Sequence, residues 1–155
     1  MARANQARLD LAALRHNLAH ARSLAPASRV MCVVKANGYG HGALTVAQVL
    51  AEDSDALAVA CIEEALELRQ GGIRAPILLL EGVFEASELS LAAEHDFWVM
   101  IDNEQQLQWL EAAQLPQAVS CWLKVDTGMH RLGIGPDRAA EFHQRLMNCN
   151  NRCGE

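Results

Sequence analysis

The sequence lacks the run of about 18 apolar residues that would predict a membrane-spanning helix, and its first residues lack the apolar core of a signal peptide. It also lacks a cluster of basic residues, since 13 lysines and arginines are outnumbered by 19 acidic residues, for a net charge of −6. Nucleic acid and an anionic membrane surface are therefore not expected as partners. We predict a cytoplasmic protein.

The cysteines lack the spacing of a zinc site, and no metal-ligand set is predicted. Their number is odd and they are widely separated, which favours thiols of a reducing compartment over a disulfide framework. The five are Cys32, Cys61, Cys121, Cys149 and Cys153. With 51% hydrophobic and 21% charged residues, the 155-residue chain is typical of one ordinary globular domain.

Short apolar runs alternate along the chain with segments of helical period. The runs predict strands at 30–34, 56–60, 77–80, 97–101 and 119–125. Helices are predicted from residue 11 to before Pro26 with Asp10 as the cap, at 43–51, 62–70 and 86–93, at 104–113 with Asn103 as the cap, and from Pro136 to about residue 147. This alternation indicates a parallel sheet with right-handed crossovers, which could be an open doubly wound sheet or part of a (β/α)₈ barrel. The pattern alone leaves both open.

Lys35 is the candidate reactive residue, because it ends the first apolar run and opens a glycine-rich turn. Desolvation there would favour the neutral amine, which forms a Schiff base with an aldehyde. A lysine that merely caps the strand and exposes its ammonium is the alternative from this context alone.

Two strings of residues carry a family resemblance. Residues 33–42, VVKANGYGHG, resemble the pyridoxal-phosphate attachment motif of bacterial alanine racemases, and residues 123–133, LKVDTGMHRLG, resemble a second segment of that family. The two strings lie about ninety residues apart and in the family's order. One short match alone would be a weaker indication than the pair.

The resemblance implies an α/β fold, a parallel (β/α)₈ barrel that binds pyridoxal 5'-phosphate and is here incomplete, with about five β/α units. We expect residues 1–147 to be the N-terminal part of that barrel and residues 148–155 to be a polar, divergent tail without a sixth strand. A complete barrel typically needs at least about 200 residues. The family's C-terminal β domain is expected to be absent, as in a truncated sequence.

The resemblance also implies roles for four residues. Lys35 would hold pyridoxal 5'-phosphate as an internal aldimine and act as a catalytic acid and base, and Tyr39 would donate its hydroxyl to the cofactor phosphate. Arg131 would contact the cofactor's phenolic oxygen and orient the substrate carboxylate. Lys124 would be carbamylated or would form an ion pair with Asp126 or another inward-facing acid.

The activity implied is the interconversion of L-alanine and D-alanine, which supplies D-alanine for peptidoglycan, by a homodimer in the full-length family member. A racemase needs a proton-transfer group on each face of the substrate, and this chain would supply one, so we expect it to be inactive alone. Two alternatives stay open: a noncatalytic relic that binds the cofactor, and a related barrel racemase or decarboxylase of amino acids.

Overall fold

The computed structural model describes residues 8–153, and of the last two it describes the backbone alone. Residues 1–7 and 154–155, at the outer ends of the predicted segments 1–147 and 148–155, lie outside this range. The strands are β1 (Met31–Val33), β2 (Ala56–Val59), β3 (Ile77–Leu79), β4 (Phe97–Ile101), β5 (Val119–Leu123) and β6 (Arg152–Cys153). The helices are α1 (Leu11–Leu24), α2 (Lys35–Tyr39), α3 (Ala43–Leu50), α4 (Ile62–Gln70), α5 (Glu88–Glu94), α6 (Glu104–Ala112) and α7 (Ala139–Asn148).

The strands form one parallel sheet in which each strand pairs with the next one along the chain. A doubly wound sheet would reverse its strand order at a switch point. The sequential order is that of a barrel wall, so the structure decides between the two architectures that the pattern left open. The prediction of an incomplete parallel α/β barrel is confirmed.

The sheet buries one face almost completely beneath the helices. Leu57, Ile77 and Val99 are fully buried there, as expected for strands of a parallel sheet. The alternate residues point to the opposite side, which we call the inner face. Its members include Ala58, Leu78, Met100, Trp98 and Trp122.

The inner face is only partly covered. Ala58 and Leu78 are buried, but Trp122 retains 46% of its exposure although its ring stacks on Trp98, with 5.8 Å between ring centroids. In a closed barrel this face is packed by layers of side chains from all the strands. The described part of the barrel wall is therefore fully packed on the face beneath the helices and only partly packed on the inner face.

The segment after α7 differs from the prediction, because it forms a short sixth strand. The backbone N–H of Val119 donates to the carbonyl oxygen of Asn151 at 2.8 Å, and the strand at 152–153 continues this pairing. The side-chain amide of Asn151 donates to the carbonyl oxygens of Leu110 at 2.8 Å and Ala113 at 2.7 Å, at the end of α6. The expectation of no sixth strand was wrong. Asn151 holds the segment by hydrogen bonds from its side chain to carbonyl groups at the end of α6 and from Val119 to its own carbonyl oxygen, so no apolar run is needed.

The predicted helix caps are confirmed. The Asp10 carboxylate accepts the N–H groups of Ala12 and Ala13, each at 3.0 Å, and the Asn103 side chain accepts the N–H of Gln106 at 3.0 Å. These bonds satisfy donors that have no partner within the first helical turn. They explain why both helices begin where the sequence predicted.

Candidate active site

The glycine-rich turn that the sequence predicted after β1 is a left-handed helical turn. The four residues from 36 to 39 have positive φ angles, namely Ala36 at 52°, Asn37 at 54°, Gly38 at 61° and Tyr39 at 54°, and Gly40 at 84° continues the run. For residues other than glycine this conformation costs roughly 1–2 kcal/mol each. Three of the four carry a side chain, so the surrounding structure must hold the turn in place.

Several hydrogen bonds hold the turn. The N–H of Gly38 donates to the carbonyl oxygen of Val34 at 2.9 Å, and the N–H of Gly42 donates to that of Asn37 at 2.9 Å. The Asn37 side chain accepts the N–H of Ala43 at 2.9 Å and thereby caps α3. Asparagine suits this position because its short polar side chain tolerates the left-handed region.

Glu64, in the first turn of α4, binds the chain immediately after Lys35. One of its carboxylate oxygens accepts the N–H of Ala36 at 2.6 Å, and the other accepts the N–H of Ala60 at 2.8 Å. It thus joins the carboxyl ends of β1 and β2. The sequence alone does not single out Glu64. A negative charge in the first turn of a helix is already favoured by the helix dipole, so its type and position indicate no further role.

Lys35 is half-buried at the start of this turn, and Tyr39 at its end is 60% exposed. In a barrel, residues at the carboxyl ends of the strands surround the active site. The structure therefore brings Lys35 and Tyr39 into one turn at the edge where the sequence predicted a site.

Lys124 directly follows β5, and its backbone N–H donates to the carbonyl oxygen of Ile101 at 2.9 Å. Its neighbours Leu123 and Val125 pack against the core beneath the helices. By strand alternation the Lys124 side chain lies on the inner face, as predicted.

Asp102 directly follows β4 and is a second residue that the sequence analysis missed. It is 4% exposed; its Oδ1 accepts from the Asn103 side chain at 2.7 Å, and its Oδ2 has no hydrogen-bond partner among the described residues. Burial raises the pKa of the Asp102 carboxyl, and the Asn103 hydrogen bond and the positive charge of Lys124 oppose this shift in part. By strand alternation Asp102 and Lys124 both lie on the inner face, and the charge of Lys124 favours the ionised form of Asp102.

The Asp126 carboxylate binds backbone groups of the loop that follows it. Its carboxylate accepts the N–H groups of Gly128 and His130, each at 3.0 Å, and lies 3.1 Å from the His130 ring nitrogen Nδ1. The two backbone hydrogen bonds hold the pKa of Asp126 below its ordinary value. Within residues 8–153 no ion pair joins Asp126 to Lys124, so this predicted pairing was wrong and Asp126 instead shapes the loop.

Arg131 lies in that same loop and is exposed. The loop closes where the N–H of Asp126 donates to the carbonyl oxygen of Ile134 at 2.8 Å and the N–H of Ile134 donates to that of Lys124 at 3.0 Å. Arg131 therefore lies on the same edge as Lys35. Three strands separate β1 from β5, which is on the order of 19 Å along a sheet.

The family model for the N-terminal domain of alanine racemase matches residues 9–154. The chain belongs to the alanine racemase family. It is 53% identical over 139 residues to the alanine racemase of Pseudomonas syringae pv. syringae, covering 90% of this chain and 39% of that protein. It is 57% identical over 142 residues to the alanine racemase of Xanthomonas oryzae pv. oryzae, covering 90% and 38%.

Solved structures agree with this assignment. The biosynthetic alanine racemase of Pseudomonas aeruginosa superimposes with a TM-score of 0.88 at 46% identity, covering 94% of this chain and 40% of that one. The alanine racemase of Oenococcus oeni gives a TM-score of 0.83 at 26% identity, covering 94% and 41%. The chain thus spans about two fifths of the length of its alanine racemase relatives.

Membrane-spanning helices and metal sites are absent from the described part of this member of the alanine racemase family, and three of its cysteines form no disulfide. Within residues 8–153 no helix is long and apolar enough to span a membrane, and no group of three or more histidine, cysteine or acidic residues could hold a metal ion. Cys32, Cys61 and Cys149 form no disulfide. The side chain of Cys153 lies outside the described part of the chain.

Proposed function

We propose that this chain is the cofactor-attachment part of a pyridoxal-phosphate-dependent alanine racemase that interconverts L- and D-alanine and supplies D-alanine for peptidoglycan. The observation that carries the proposal is the position of Lys35, at the carboxyl end of β1 and at the start of the left-handed turn, in a chain of this family. We place the enzyme in the cytoplasm and expect a homodimer for the full-length protein.

The residues at this edge fit the functional groups of pyridoxal 5'-phosphate. The cofactor carries an aldehyde, a phosphate and a phenolic oxygen, and Lys35, Tyr39 and Arg131 offer an amine, a hydroxyl and a guanidinium. Strands one and five of an eight-stranded barrel face each other across its interior, so Lys35 and Arg131 would approach one ligand from opposite sides. When bound, the pyridine ring supplies the electron sink for the carbanion at the substrate α-carbon.

Each residue then has a task of its own. Lys35 holds the cofactor, and its amine takes or returns the proton at the α-carbon of alanine. Tyr39 binds the phosphate, and its exposed hydroxyl is free to reach a ligand. Arg131 orients the substrate carboxylate with its planar fork of donors.

Lys124, when carbamylated, would support Arg131 through the negative charge of the carbamate, and the charge of Asp102 bears on that modification. A carbamate on Lys124 would add a second negative charge on the side of the sheet where Asp102 lies. Two like charges disfavour each other, so carbamylation of Lys124 would require Asp102 to bind a proton. The burial of Asp102, which raises its pKa, makes that protonation accessible.

The lysine that binds the cofactor can be assigned directly, because the chain contains two lysines, Lys35 and Lys124, and a modified peptide distinguishes them. The purified chain is treated with pyridoxal phosphate, reduced with borohydride, digested and analysed by mass spectrometry. We expect the modified peptide to carry Lys35, and Lys35→Ala to abolish it while Lys124→Ala, the matched control, retains it. Modification at Lys124 alone, or at neither lysine in a folded chain, would contradict the proposal.

Turnover is tested separately from attachment. A racemase needs a proton-transfer group on each face of the planar carbanion, and Lys35 serves one face. For the 155-residue chain we expect exchange of the α-proton of alanine into deuterated water without inversion of configuration. Attachment without any exchange would favour the alternative of a noncatalytic cofactor-binding relic. Exchange with other amino acids but not with alanine would favour a related racemase or decarboxylase.

A further inference from the structure

The carboxylate of Glu64 occupies the point where β1 and β2 separate. The hydrogen bonds between these strands end with the N–H of Val34 donating to the carbonyl oxygen of Ala58 at 2.8 Å. Beyond this bond, the Glu64 carboxylate accepts hydrogen bonds from the N–H of Ala36 and the N–H of Ala60. A side chain from α4 thus replaces the next connection between the two strands.

The N–H of Ala36 needs this acceptor because of the left-handed turn. With φ at 52°, Ala36 leaves the strand conformation, so its N–H cannot continue the pairing with β2. The Ala36 bond is exposed to solvent and the Ala60 bond is part-buried, and in both the charged carboxylate makes the stronger kind of hydrogen bond. The Glu64–Ala36 bond of 2.6 Å is therefore well suited to stabilise a conformation that alanine otherwise avoids.

We propose that Glu64 is a positioning residue for Lys35: by binding Ala36 and Ala60 together, it fixes the backbone on which the Lys35 amine is presented. This inference rests on the proposed role of Lys35. Without the bond, the peptide group between Lys35 and Ala36 is free to rotate, and the direction of the lysine side chain changes with it. Glu64 itself need not touch the cofactor or the substrate.

The test compares Glu64→Gln with Glu63→Gln. The two residues are neighbours in the first turn of α4 and lose the same charge, but Glu63 is exposed and makes neither of these backbone bonds. Glutamine at position 64 keeps one acceptor oxygen and brings an NH₂ group toward the second N–H. Glu64→Asp keeps the charge but is one methylene shorter, so it separates the effect of the charge from that of the span.

The readout is the reaction of Lys35 relative to Lys124, which serves as the reference within the same molecule. We expect Glu64→Gln and Glu64→Asp to lower the affinity for pyridoxal phosphate about tenfold or more and to reduce the share of modification at Lys35. Glu63→Gln should behave as wild type. Unfolding in urea and amide exchange at Ala36 and Ala60, measured without cofactor, confirm that the variants are folded and that the turn alone has loosened.

Equal affinity and an equal Lys35 to Lys124 ratio in all variants would overturn the proposal and leave Glu64 as a structural bridge. Loss of unfolding stability in Glu64→Gln with unchanged reactivity of Lys35 would do the same. If the wild-type chain does not attach the cofactor at Lys35, the proposed function fails on its own. The positioning role is then still decided by the reaction of the two lysines with formaldehyde and borohydride, which requires no cofactor site.

Discussion

Asp102 and Lys124 directly follow neighbouring strands, β4 and β5, and the positive charge of Lys124 opposes the rise that burial causes in the pKa of Asp102. One is a buried acid with an unpaired oxygen, and the other is one of two lysines in the chain. A change in the charge at position 124 therefore changes the pKa of Asp102.

Replacing Asp102 with asparagine should increase the carbamylated fraction of Lys124. The substitution removes the neighbouring negative charge, which disfavours a carbamate and favours an ammonium. The measurement is the carbon-13 NMR signal of the carbamate in labelled bicarbonate at fixed pH. Asp126→Asn is the control, because the Asp126 carboxylate binds the backbone N–H groups of Gly128 and His130, and these bonds rather than Lys124 are the main cause of its lowered pKa. An equal or smaller carbamate signal in Asp102→Asn would contradict the predicted coupling.

The pH dependence of stability should reveal Asp102. Its pKa in the folded chain lies above the ordinary value of 3.8, so the folded state retains the proton longer than the unfolded state. The contribution of Asp102 to the free energy of unfolding is then present below pH 3.8 and is lost as the pH rises through the folded-state pKa. Asp102→Asn has no ionisable group at this position and should lack this loss. As the pH rises through that window, the free energy of unfolding of the variant, measured in urea, should therefore increase steadily relative to that of wild type.

Glu104 should show the opposite dependence. It accepts hydrogen bonds from Arg145 and Arg138, each at 2.8 Å, and these lower its pKa from 4.5 to about 2. Its contribution is present above pH 4.5 and is lost as the pH falls toward 2. Because the pairs are exposed to solvent, the effect should shrink in high salt. Urea unfolding of Glu104→Gln between these pH values should show a weaker acid destabilisation than wild type, and an unchanged slope would argue against the pairing.

Gln106 should be the most sensitive polar residue of α6. Its buried side chain accepts the N–H of Asp102 at 2.9 Å and donates to the carbonyl oxygens of Glu81 at 2.8 Å and Val83 at 3.3 Å. Gln106→Leu leaves these backbone groups without partners and should lower the free energy of unfolding by roughly 3 kcal/mol. The matched control, Gln105→Leu, lies on the exposed side of the same helix and should change it by less than about 0.5 kcal/mol. Similar values for both variants would refute the predicted role.

Asn37 should contribute through both its cap and its backbone. Asn37→Ala removes the acceptor of the Ala43 N–H and places alanine at a φ of 54°, so we expect a loss of about 1–2 kcal/mol. Asn37→Gly removes the same acceptor but tolerates the left-handed conformation, so it should lose only a few tenths of a kcal/mol. Thermal unfolding of the two variants measures the difference. A smaller loss for alanine than for glycine would show that the left-handed turn is not retained.

Much of the fold was predictable because local rules agree with one another along this chain. The caps at Asp10 and Asn103 and the buried runs of β2 and β4 were recognised from residue type and spacing. The candidate site was predictable only in part. The position of Lys35 was recognised, but the left-handed turn was not, because three of its four residues carry side chains that normally avoid that conformation.

The sequence by itself determined the alternation of strands and helices, the family, and the two segments that carry Lys35 and Arg131. These depend on residue type and on spacing along the chain, which can be read without coordinates. Only the tertiary structure decided that Glu64 binds the turn after Lys35, that the charge of Lys124 acts on the buried Asp102, and that a polar segment adds a sixth strand. Each of these depends on hydrogen bonds or charges between residues that folding brings together, and a sequence does not state which of its many polar groups will meet.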